Sequence, residues 1–192
     1  MKTGQVLEEF ALKNGCKVVL RTPRWEDLDD LLELVNSLVG EGAEIVGDEK
    51  VSRDEEINWL SGVLTRLEKD KTFFLVAEVD CKVIASSDAN RQREYEKRAG
   101  VVGIVVDKGF RELGIGTAMM RILVQQAKKM GLNVLTLAAA AAFATNKRAI
   151  HVYEKVGFVQ TDLIPMKFFK GDIHLDEVIM TKLLELDCHG RF

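Results

Sequence analysis

The sequence contains few of the residues that stiffen or cross-link small proteins. It has two prolines and three cysteines among 192 residues. The cysteines, Cys16, Cys81 and Cys188, are odd in number and far apart, which fits neither a disulfide framework nor a zinc site. We therefore expect buried or incidental thiols and no metal centre.

Long apolar runs and a strong net charge are also absent. No segment approaches the roughly 20 apolar residues that a membrane helix needs, and the opening MKTGQVLEEFALKNG lacks the apolar stretch of a signal peptide. The formal net charge of −3 provides no overall basic surface for nucleic acid, although a local basic patch is compatible with it. The sequence thus predicts a cytoplasmic protein that binds neither a membrane nor nucleic acid.

What the sequence does contain is the composition of a folded domain. Hydrophobic residues make up 47% and charged residues 30% of a chain that is long enough for one well-buried core and short for two. We expect a single domain over residues 17–192, preceded by an extension over residues 1–16 that packs on it.

Hydrophobic periodicity predicts the order β-α-α-β-β-β-α-β-α-β-β over residues 17–186. Ser52 with Glu55 forms a capping box at the start of the second helix. The predicted elements alternate in a way that favours one mixed sheet covered by helices, and no linker indicates a domain boundary.

Three β-branched or aromatic runs predict strands in the middle of the chain. Residues 72–79 and 82–89 are joined by the tight turn Asp80–Cys81, which predicts a hairpin although the turn is not of the preferred Asn-Gly type. Residues 99–106 predict a further strand that leads into a glycine-containing turn.

Residues 105–123, VVDKGFRELGIGTAMMRIL, run from this strand through a charged turn into a helix-like segment. The first N–H groups of a helix are unpaired, and Gly114 and Gly116 lack side chains that would keep a ligand away from them. The helix dipole also attracts phosphate, so Leu113–Thr117 is a candidate pyrophosphate site with Arg111 beside it. An isolated G-x-G can equally be a turn that binds nothing.

Two common nucleotide-binding signatures do not match this turn. A P-loop requires Lys and then Ser or Thr after its second glycine, where this sequence has Thr117 and Ala118. A dinucleotide-binding fingerprint requires a third glycine at position 119, which is Met119. The turn therefore belongs to neither class, and Asp107 at its start is expected to cap it.

Two motifs together resemble those of the GNAT superfamily of N-acetyltransferases. The first is R-x-x-G-x-G-T at residues 111–117, and the second is N-x-x-A-x-x-x-Y-E-x-x-G-F at residues 146–158. Their order and spacing are also similar to the family, and they lie closest to its ribosomal-protein and N-terminal acetyltransferase branch. The resemblance implies an α/β (α+β) GNAT-like domain with a mixed, mostly antiparallel sheet, helices on both faces and a splayed central strand pair.

The resemblance further implies acetyl-CoA as the acetyl donor and suggests which residues bind it. Main-chain groups of Ile104, Val105 and Val106 are expected on the acetyl and pantetheine arm, and Asn146 on the pantetheine chain. The residues expected around the pyrophosphate are Arg111, Glu112, Leu113, Gly114, Ile115, Gly116 and Thr117.

The motif match places Tyr153 at the family's general-acid position. Transfer to an amine needs a neutral nucleophile and a group that protonates the departing thiolate, and a phenol can donate that proton. A main-chain N–H near Val105 or Val106 would stabilise the charge that develops on the carbonyl oxygen. Because Ala149, Tyr153 and Val156 share one helical stripe, simple packing on the sheet is the alternative for Tyr153.

The general base is not identified by the resemblance. Relatives carry glutamate at two positions that hold Ala141 and Val101 here, and neither side chain can accept a proton. The run LAAAAAF before the motif asparagine is also longer than is usual in the family. The remaining candidates are a water chain, His151, Glu44, Glu94 and Glu96.

The acceptor pocket is expected at the loop over residues 40–51 and at the final hairpin. Glu41, Glu44, Asp48 and Glu49 would suit a cationic acceptor by charge complementarity, and a solvated acidic loop is the alternative. Phe168 and Phe169 either add an apolar wall to this pocket, face a second copy in a homodimer, or pack on an edge strand.

The predicted function is acetyl-CoA-dependent transfer of an acetyl group to a primary amine by direct attack, with Tyr153 as the general acid. The acceptor would be a peptide amino terminus, a lysine, a polyamine or a small amine. The missing base leaves a non-catalytic acyl-CoA-binding module as the alternative, and a protein-interaction scaffold as a third.

Overall fold

The computed structural model of the chain describes residues 1–43, 49–92, 98–137, 144–170 and 173–184. Within these ranges the chain forms eight strands and four α-helices, and the predicted order of elements is confirmed with one strand added in front. In chain order the elements are β1 (Val6–Ala11), β2 (Lys17–Arg21), α1 (Leu28–Gly40), α2 (Arg53–Glu68), β3 (Thr72–Val79), β4 (Lys82–Arg91), β5 (Ala99–Val106), α3 (Ile115–Lys129), β6 (Val134–Leu137), α4 (Lys147–Lys155), β7 (Val159–Lys170) and β8 (Ile173–Leu183).

The strands form one sheet in the order β1-β2-β3-β4-β5-β6-β8-β7. Neighbouring strands are antiparallel except for β5 and β6, which run parallel near the middle of the sheet. Parallel neighbours need a crossover connection, and α3 lies on that connection. The predicted mixed, mostly antiparallel sheet is therefore confirmed.

The added strand, β1, lies within residues 1–16, the segment that the sequence predicts as an extension. It pairs antiparallel with β2 from Val6↔Arg21 to Ala11↔Lys17. This segment thus contributes one outer strand of the sheet, and β7 is the outer strand on the opposite side.

Helices cover both faces of the sheet, as the resemblance implies. Side chains of α1 and α2 pack on β3 and β4, and the buried members of this cluster are Leu28, Leu31, Leu60, Val63, Phe74, Val76 and Val83. The other face carries α3 and α4, with Met119, Leu123 and Tyr153 fully buried. We call these the α1/α2 face and the α3/α4 face. No helix in the described ranges is both long and apolar enough to cross a membrane.

Local sequence signals set two of the element boundaries. Ser52 and Glu55 exchange side-chain and main-chain hydrogen bonds at the start of α2, so the predicted capping box is confirmed. The turn between β3 and β4 has positive φ at both Asp80 (49°) and Cys81 (63°). Positive φ at both central residues is what a two-residue type I′ hairpin turn requires, and aspartate tolerates it better than most residues.

Candidate active site

The strand β5 continues beyond its parallel pairing with β6. The pairing runs from Ala99↔Val134 to Val102↔Leu137, and β6 ends there, just before a segment that the structure does not describe. The rest of β5, Gly103–Val106, pairs only with β4 among the described residues. We call Gly103–Val106 the open half of β5. It contains Ile104, Val105 and Val106, so the main-chain groups predicted to contact the pantetheine arm lie on a stretch of β5 with no described strand on the side of β6.

The chain leaves β5 through a turn that Asp107 caps, as predicted. Oδ1 of Asp107 accepts a hydrogen bond from the N–H of Gly109 at 2.9 Å. Two residues farther on have left-handed conformations, Glu112 with φ 64° and Gly114 with φ 86°. Glycine adopts that region without strain, which lets the chain reverse direction before α3 begins.

The first turn of α3 carries unpaired main-chain donors. The N–H of Ala118 donates to the carbonyl of Gly114 at 3.1 Å, and this bond starts the helical ladder. The N–H groups of Ile115, Gly116 and Thr117 therefore have no partner within the described parts of the chain. Three unpaired donors at the positive end of a helix dipole form a site suited to an anion.

Gly116 lies where α3, the open half of β5 and α4 meet. A Cβ atom on this residue would lie 3.4 Å from Cδ1 of Ile104 and 3.8 Å from both methyl groups of Val152. A methyl group is tolerable there, but a large side chain would fill the space between the helix start and the strand. The absence of a side chain keeps the unpaired amides and the open half of β5 accessible to one ligand.

Arg111 makes two polar contacts with other described residues. Its Nε donates to the carbonyl of Val106 at 2.9 Å, and its guanidinium group forms an ion pair with Glu41. Glu41 belongs to the acidic loop predicted for the acceptor pocket, and the ion pair joins it to the turn that follows β5. Because a guanidinium group has five N–H donors, Arg111 retains donors for a ligand.

Asn146 is the N-cap of α4. Its Oδ1 accepts a hydrogen bond from the N–H of Ala149 at 3.1 Å. Its Nδ2 has no hydrogen-bond partner among the residues that the structure describes, and can donate to a ligand. Contact between Asn146 and pantetheine stays a prediction.

The Y-E-x-x-G-F part of the second motif ends α4 in a Schellman arrangement. The N–H of Phe158 donates to the carbonyl of Tyr153 at 3.0 Å, and the N–H of Gly157 to the carbonyl of Glu154 at 2.9 Å. Gly157 has φ 86°, as the motif requires, and the rings of Tyr153 and Phe158 pack edge to face at 5.8 Å. The motif therefore fixes the position of Tyr153 at both its backbone and its ring.

The hydroxyl group of Tyr153 is the notable exception to this packing. The residue is fully buried, yet its Oη has no hydrogen-bond partner among the described residues. Buried hydroxyl groups are normally paired, so an unpaired one indicates a missing partner. Burial, and to a lesser degree the charge of Asp88, raises the pKa of this phenol above its ordinary value, so it keeps its proton at neutral pH.

These features fit acetyl-CoA. A diphosphate needs unpaired donors, which the first turn of α3 has. The amide groups of a pantetheine arm need a strand edge, which Gly103–Val106 has. A thioester sulfur needs a proton donor when it departs, and the unpaired Oη of Tyr153 can be that donor.

Among the described residues, the expected positions hold no replacement for the family glutamate. Val101 lies on β5 opposite Asn90, and its side chain is apolar. His151 is exposed on α4. The candidates Glu44, Glu94 and Glu96, and the position of Ala141, lie outside the described residues, so the roles of these three glutamates stay predictions.

One acidic residue that sequence reasoning missed lies close to this site. Asp88 on β4 pairs with Phe74 on β3 and with Gly103 on β5. Directly opposed residues of neighbouring strands point to the same face, so the carboxyl group lies on the α1/α2 face next to the open half of β5. Its signal in the sequence is an aspartate within a predicted inner strand, a position that aspartate rarely occupies.

The structure describes only part of the expected acceptor pocket. Glu49 is exposed, and Glu44 and Asp48 are not described. Phe169 on the outer strand β7 is 69% exposed and contacts His174 on β8, with ring centroids 4.7 Å apart. These observations leave the roles of Phe168 and Phe169 in a pocket or a homodimer as predictions.

Comparison with known proteins assigns the fold and the family. The model of the acetyltransferase (GNAT) family matches residues 25–158. An uncharacterized N-acetyltransferase of Methanocaldococcus jannaschii is 28% identical over 168 residues, which cover 85% of this chain and 67% of that protein.

Two solved structures are similar over most of their length. The phosphinothricin acetyltransferase of Sinorhizobium meliloti, solved with acetyl-CoA, has a TM-score of 0.75 at 20% identity and covers 87% of this chain and 88% of its own. The ribosomal-protein-alanine N-acetyltransferase of Brucella melitensis has a TM-score of 0.76 at 23% identity and covers 86% and 99%. At such identities the likeness shows the fold alone, so assignment to the ribosomal-protein branch stays a prediction.

Proposed function

Because the chain belongs to the acetyltransferase (GNAT) family, we propose that it transfers an acetyl group from acetyl-CoA to a primary amine, with Tyr153 as the general acid. Bound acetyl-CoA supplies a thioester whose carbonyl carbon accepts the amine nitrogen in exchange for sulfur. The acceptor class we propose is a peptide amino terminus, a lysine, a polyamine or a small amine.

The N–H groups of Ile115, Gly116 and Thr117 bind the diphosphate in this proposal. Gly116 leaves them accessible, and Arg111 contributes positive charge from the side. Because the helix already holds these three donors in place, little free energy is needed to order the site when the ligand binds.

The open half of β5 orients the acyl end. Among the described residues, no strand lies beside the edge of Gly103–Val106 that faces away from β4, and Arg111 contacts its Val106 carbonyl. In this proposal the edge holds an extended arm as it would hold an added strand, and an N–H near Val105 or Val106 stabilises charge on the carbonyl oxygen. The side chains of these two valines matter little for this role. Replacement of either by isoleucine should leave turnover within about threefold, a much smaller effect than loss of an oxyanion donor.

Tyr153 completes the reaction. Its Oη donates a proton to the departing sulfur, and the phenol recovers a proton from the amine nitrogen that has been acylated. A phenol is a weaker acid than a thiol, so the proton moves as the carbon–sulfur bond breaks, not before. Burial of the ring keeps the hydroxyl protonated and in one place.

The observation that carries this proposal is the set of N–H groups at Ile115–Thr117 that have no described partner, beside the open half of β5. Calorimetry with CoA tests it directly. Gly116→Trp should abolish binding, because the indole would occupy the space between the helix start and Ile104. Lys128→Trp, at the exposed far end of the same helix, is the control and should bind CoA as the wild type does.

A mass-spectrometric screen of amines and amino-terminal peptides with acetyl-CoA tests the transfer step. Acetylation of at least one primary amine is the expected result. The second candidate function is a non-catalytic acyl-CoA-binding module, favoured by the apolar Val101 where relatives carry a base. Saturable CoA binding without transfer to any amine in a broad panel would support that candidate and contradict the first.

A further inference from the structure

Asp88 is an acidic residue in an inner strand of the sheet. It lies between Phe74 of β3 and Gly103 of β5, on the face that α1 and α2 cover. Charged residues rarely occupy such positions unless they are paired with an opposite charge or have a function. No ion pair of Asp88 exists among the described residues, which leaves a functional role to be considered.

The carboxyl group lies over a residue without a side chain. A Cβ atom on Gly103 would lie 3.5 Å from Oδ1 of Asp88. Gly103 is also the first residue of the open half of β5. Asp88 therefore approaches β5 directly after the end of its described pairing with β6.

Two neighbours fix the orientation of the carboxyl group and leave one oxygen free. Thr72 donates to Oδ1 of Asn90 at 2.7 Å, which turns the amide nitrogen of Asn90 toward Oδ2 of Asp88, to which it donates. Oδ1 of Asp88 has no hydrogen-bond partner in the described parts of the chain. The side chain is thus held in place with one oxygen available to accept a proton.

The surroundings also adjust the acidity of this group. Desolvation raises the pKa of Asp88 to about 6, and the hydrogen bond from Asn90 and the charge of Arg66 on α2 oppose that rise. The charge of Asp88 in turn helps to raise the pKa of Tyr153 on α4, which lies on the opposite face of the sheet. A base with a pKa just below neutral is largely ionised at pH 7 and still accepts a proton readily.

We propose that Asp88 is the general base that removes a proton from the acceptor ammonium group, in place of the glutamate that Val101 and Ala141 do not supply. The proposal rests on the proposed function. Oδ1 of Asp88 takes one proton, which leaves a neutral amine whose lone pair forms the new carbon–nitrogen bond. Asp88 later releases that proton to solvent, so one proton leaves for each acetyl group transferred.

In this arrangement the acid and the base reach the open half of β5 from opposite faces. Tyr153 belongs to the α3/α4 face and Asp88 to the α1/α2 face. The acceptor therefore enters from the side of α1 and α2. The ring of Trp59, 41% exposed, packs edge to face on Phe74 at 5.3 Å beside Asp88, which makes 2-phenylethylamine a suitable probe.

Asp88→Asn removes the charge and keeps the shape, and Asp29→Asn is the matched control at an exposed position of α1. Both variants should bind CoA as the wild type does in calorimetry.

At pH 7, Asp88→Asn should acetylate 2-phenylethylamine about 10²-fold to 10⁴-fold more slowly, the usual contribution of a general base. With aniline, which is already neutral at pH 7, the same variant should lose far less. Hydrolysis of acetyl-CoA replaces the amine assay if wild type acetylates neither amine.

A second readout needs no turnover. Carbon-13 NMR of the CoA-free wild type, labelled at aspartate carboxyl groups, should show one resonance that titrates near pH 6 and is missing from Asp88→Asn. Wild-type rates should rise with pH through the same value, and Asp88→Asn should lose that rise.

Three results would overturn the role of Asp88 while leaving the proposed function intact. They are turnover of Asp88→Asn within about threefold of wild type, an equal loss with both amines, and titration of Asp88 below about pH 5, in the ordinary carboxyl range.

Loss of CoA binding by Asp88→Asn would assign it a structural role and also overturn the proposal. A wild type that does not bind CoA would contradict the proposed function itself. Binding without turnover of amine or water would support the acyl-CoA-binding module and reject a general base.

Discussion

Asn90 donates a hydrogen bond from its side-chain amide to the carboxylate of Asp88, two residues earlier on the same face of β4. This bond stabilises the ionised form of Asp88, and Asn90→Ala should therefore raise the pKa of Asp88 above its value of about 6. The rise of activity with pH should move to higher pH by up to about one unit, with little change on the high-pH plateau. A pH–rate profile measures it. Asn14→Ala, in the exposed turn before β2, is the control, and an unchanged profile for Asn90→Ala would contradict the expectation.

The contribution of Asp88 to the free energy of unfolding should be more favourable at low pH than at high pH. Its pKa is raised on folding from 3.8 to about 6, so the folded state binds its proton more tightly than the unfolded state. The favourable contribution is complete below about pH 4 and is lost as the pH rises through about 6. A shift of roughly two units corresponds to about 3 kcal/mol.

Asp88→Asn should therefore be more stable than wild type at pH 8 and should lose that advantage below pH 4. Urea unfolding at the two pH values measures the difference in the free energy of unfolding. Asp29→Asn should show no comparable pH-dependent gain, because its carboxylate is exposed. An equal effect of Asp88→Asn at both pH values would show that desolvation does not perturb Asp88.

Tyr153→Phe removes only the hydroxyl group, which has no partner within the described residues. Because removal of an unpaired buried hydroxyl relieves a desolvation cost, the variant should be as stable as wild type or more stable by about 1 kcal/mol. Acetyl transfer should fall about 10²-fold to 10⁴-fold if the hydroxyl is the general acid. Thermal unfolding and steady-state kinetics give the two answers.

Ser87→Ala provides the matched comparison for Tyr153→Phe. Ser87 carries the other unpaired buried hydroxyl group of the described chain, on β4 opposite Ile104. Both variants should gain or keep stability, and only Tyr153→Phe should lose turnover. Unchanged turnover of Tyr153→Phe would contradict the general-acid role and leave packing of the ring on Phe158, the alternative that its helical stripe suggests.

Arg111 is shared between Glu41 and the carbonyl of Val106. Glu41→Gln should release the guanidinium group and strengthen CoA binding about twofold to fivefold, the range expected for a partly exposed ion pair. Arg111→Ala should weaken CoA binding about tenfold to 100-fold by loss of a charge-assisted contact. Pantetheine, which lacks the diphosphate, is the control ligand and should bind equally to all three proteins in calorimetry. If the affinity for pantetheine changes in the same way, Arg111 contacts the pantetheine arm and not the diphosphate.

Gly114 and Gly40 allow a paired test of the turn before α3. Gly114 has φ 86° and its missing side chain would meet nothing, so Gly114→Ala should lose about 1 kcal/mol through backbone strain alone. Gly40 ends α1 without positive φ and has open space around it, so Gly40→Ala should gain up to about 1 kcal/mol. Urea unfolding measures both, and a loss at both positions would contradict the assigned conformations.

Elements with strong local signals were predictable from the sequence. β3 and β5 occupy residues 72–79 and 99–106, the runs that β-branched and aromatic residues mark. The start of α2 coincides with its capping box, because Ser52 and Glu55 are the first and last residues of one four-residue motif. In each case the physical cause of the element lies within about one turn or one strand of sequence.

Elements that depend on a distant partner were harder to predict. β1, VLEEFA, exposes several of its side chains and becomes a strand by pairing with β2, a contact that its own pattern does not reveal. β7 and β8 are also longer than their apolar runs suggest, since their outer residues pair with each other and not with the core. Edge strands bury little, so their sequences carry little signal.

The same reasoning explains what was found and what was missed at the site. Tyr153 and the glycine turn could be predicted because each lies in a contiguous motif. Asp88 could not, because its position depends on Phe74 and Gly103, which reach it only through the pairing of three strands. A glutamate at position 101 would have been visible in one motif, whereas a carboxylate on the neighbouring strand is visible only once the register is known.

The register of β4 against β5 separates the residues proposed for donor binding from those proposed for acceptor recognition. In the proposed arrangement, main-chain atoms of β5 and α3 hold the donor, and this role depends little on the apolar side chains attached to them. Side chains of α2 and β4 face the acceptor in the same proposal. Substitutions in the acceptor-facing side chains can therefore change amine specificity without weakening acetyl-CoA binding. Related sequences can thus evolve new acceptors while keeping the same acetyl donor.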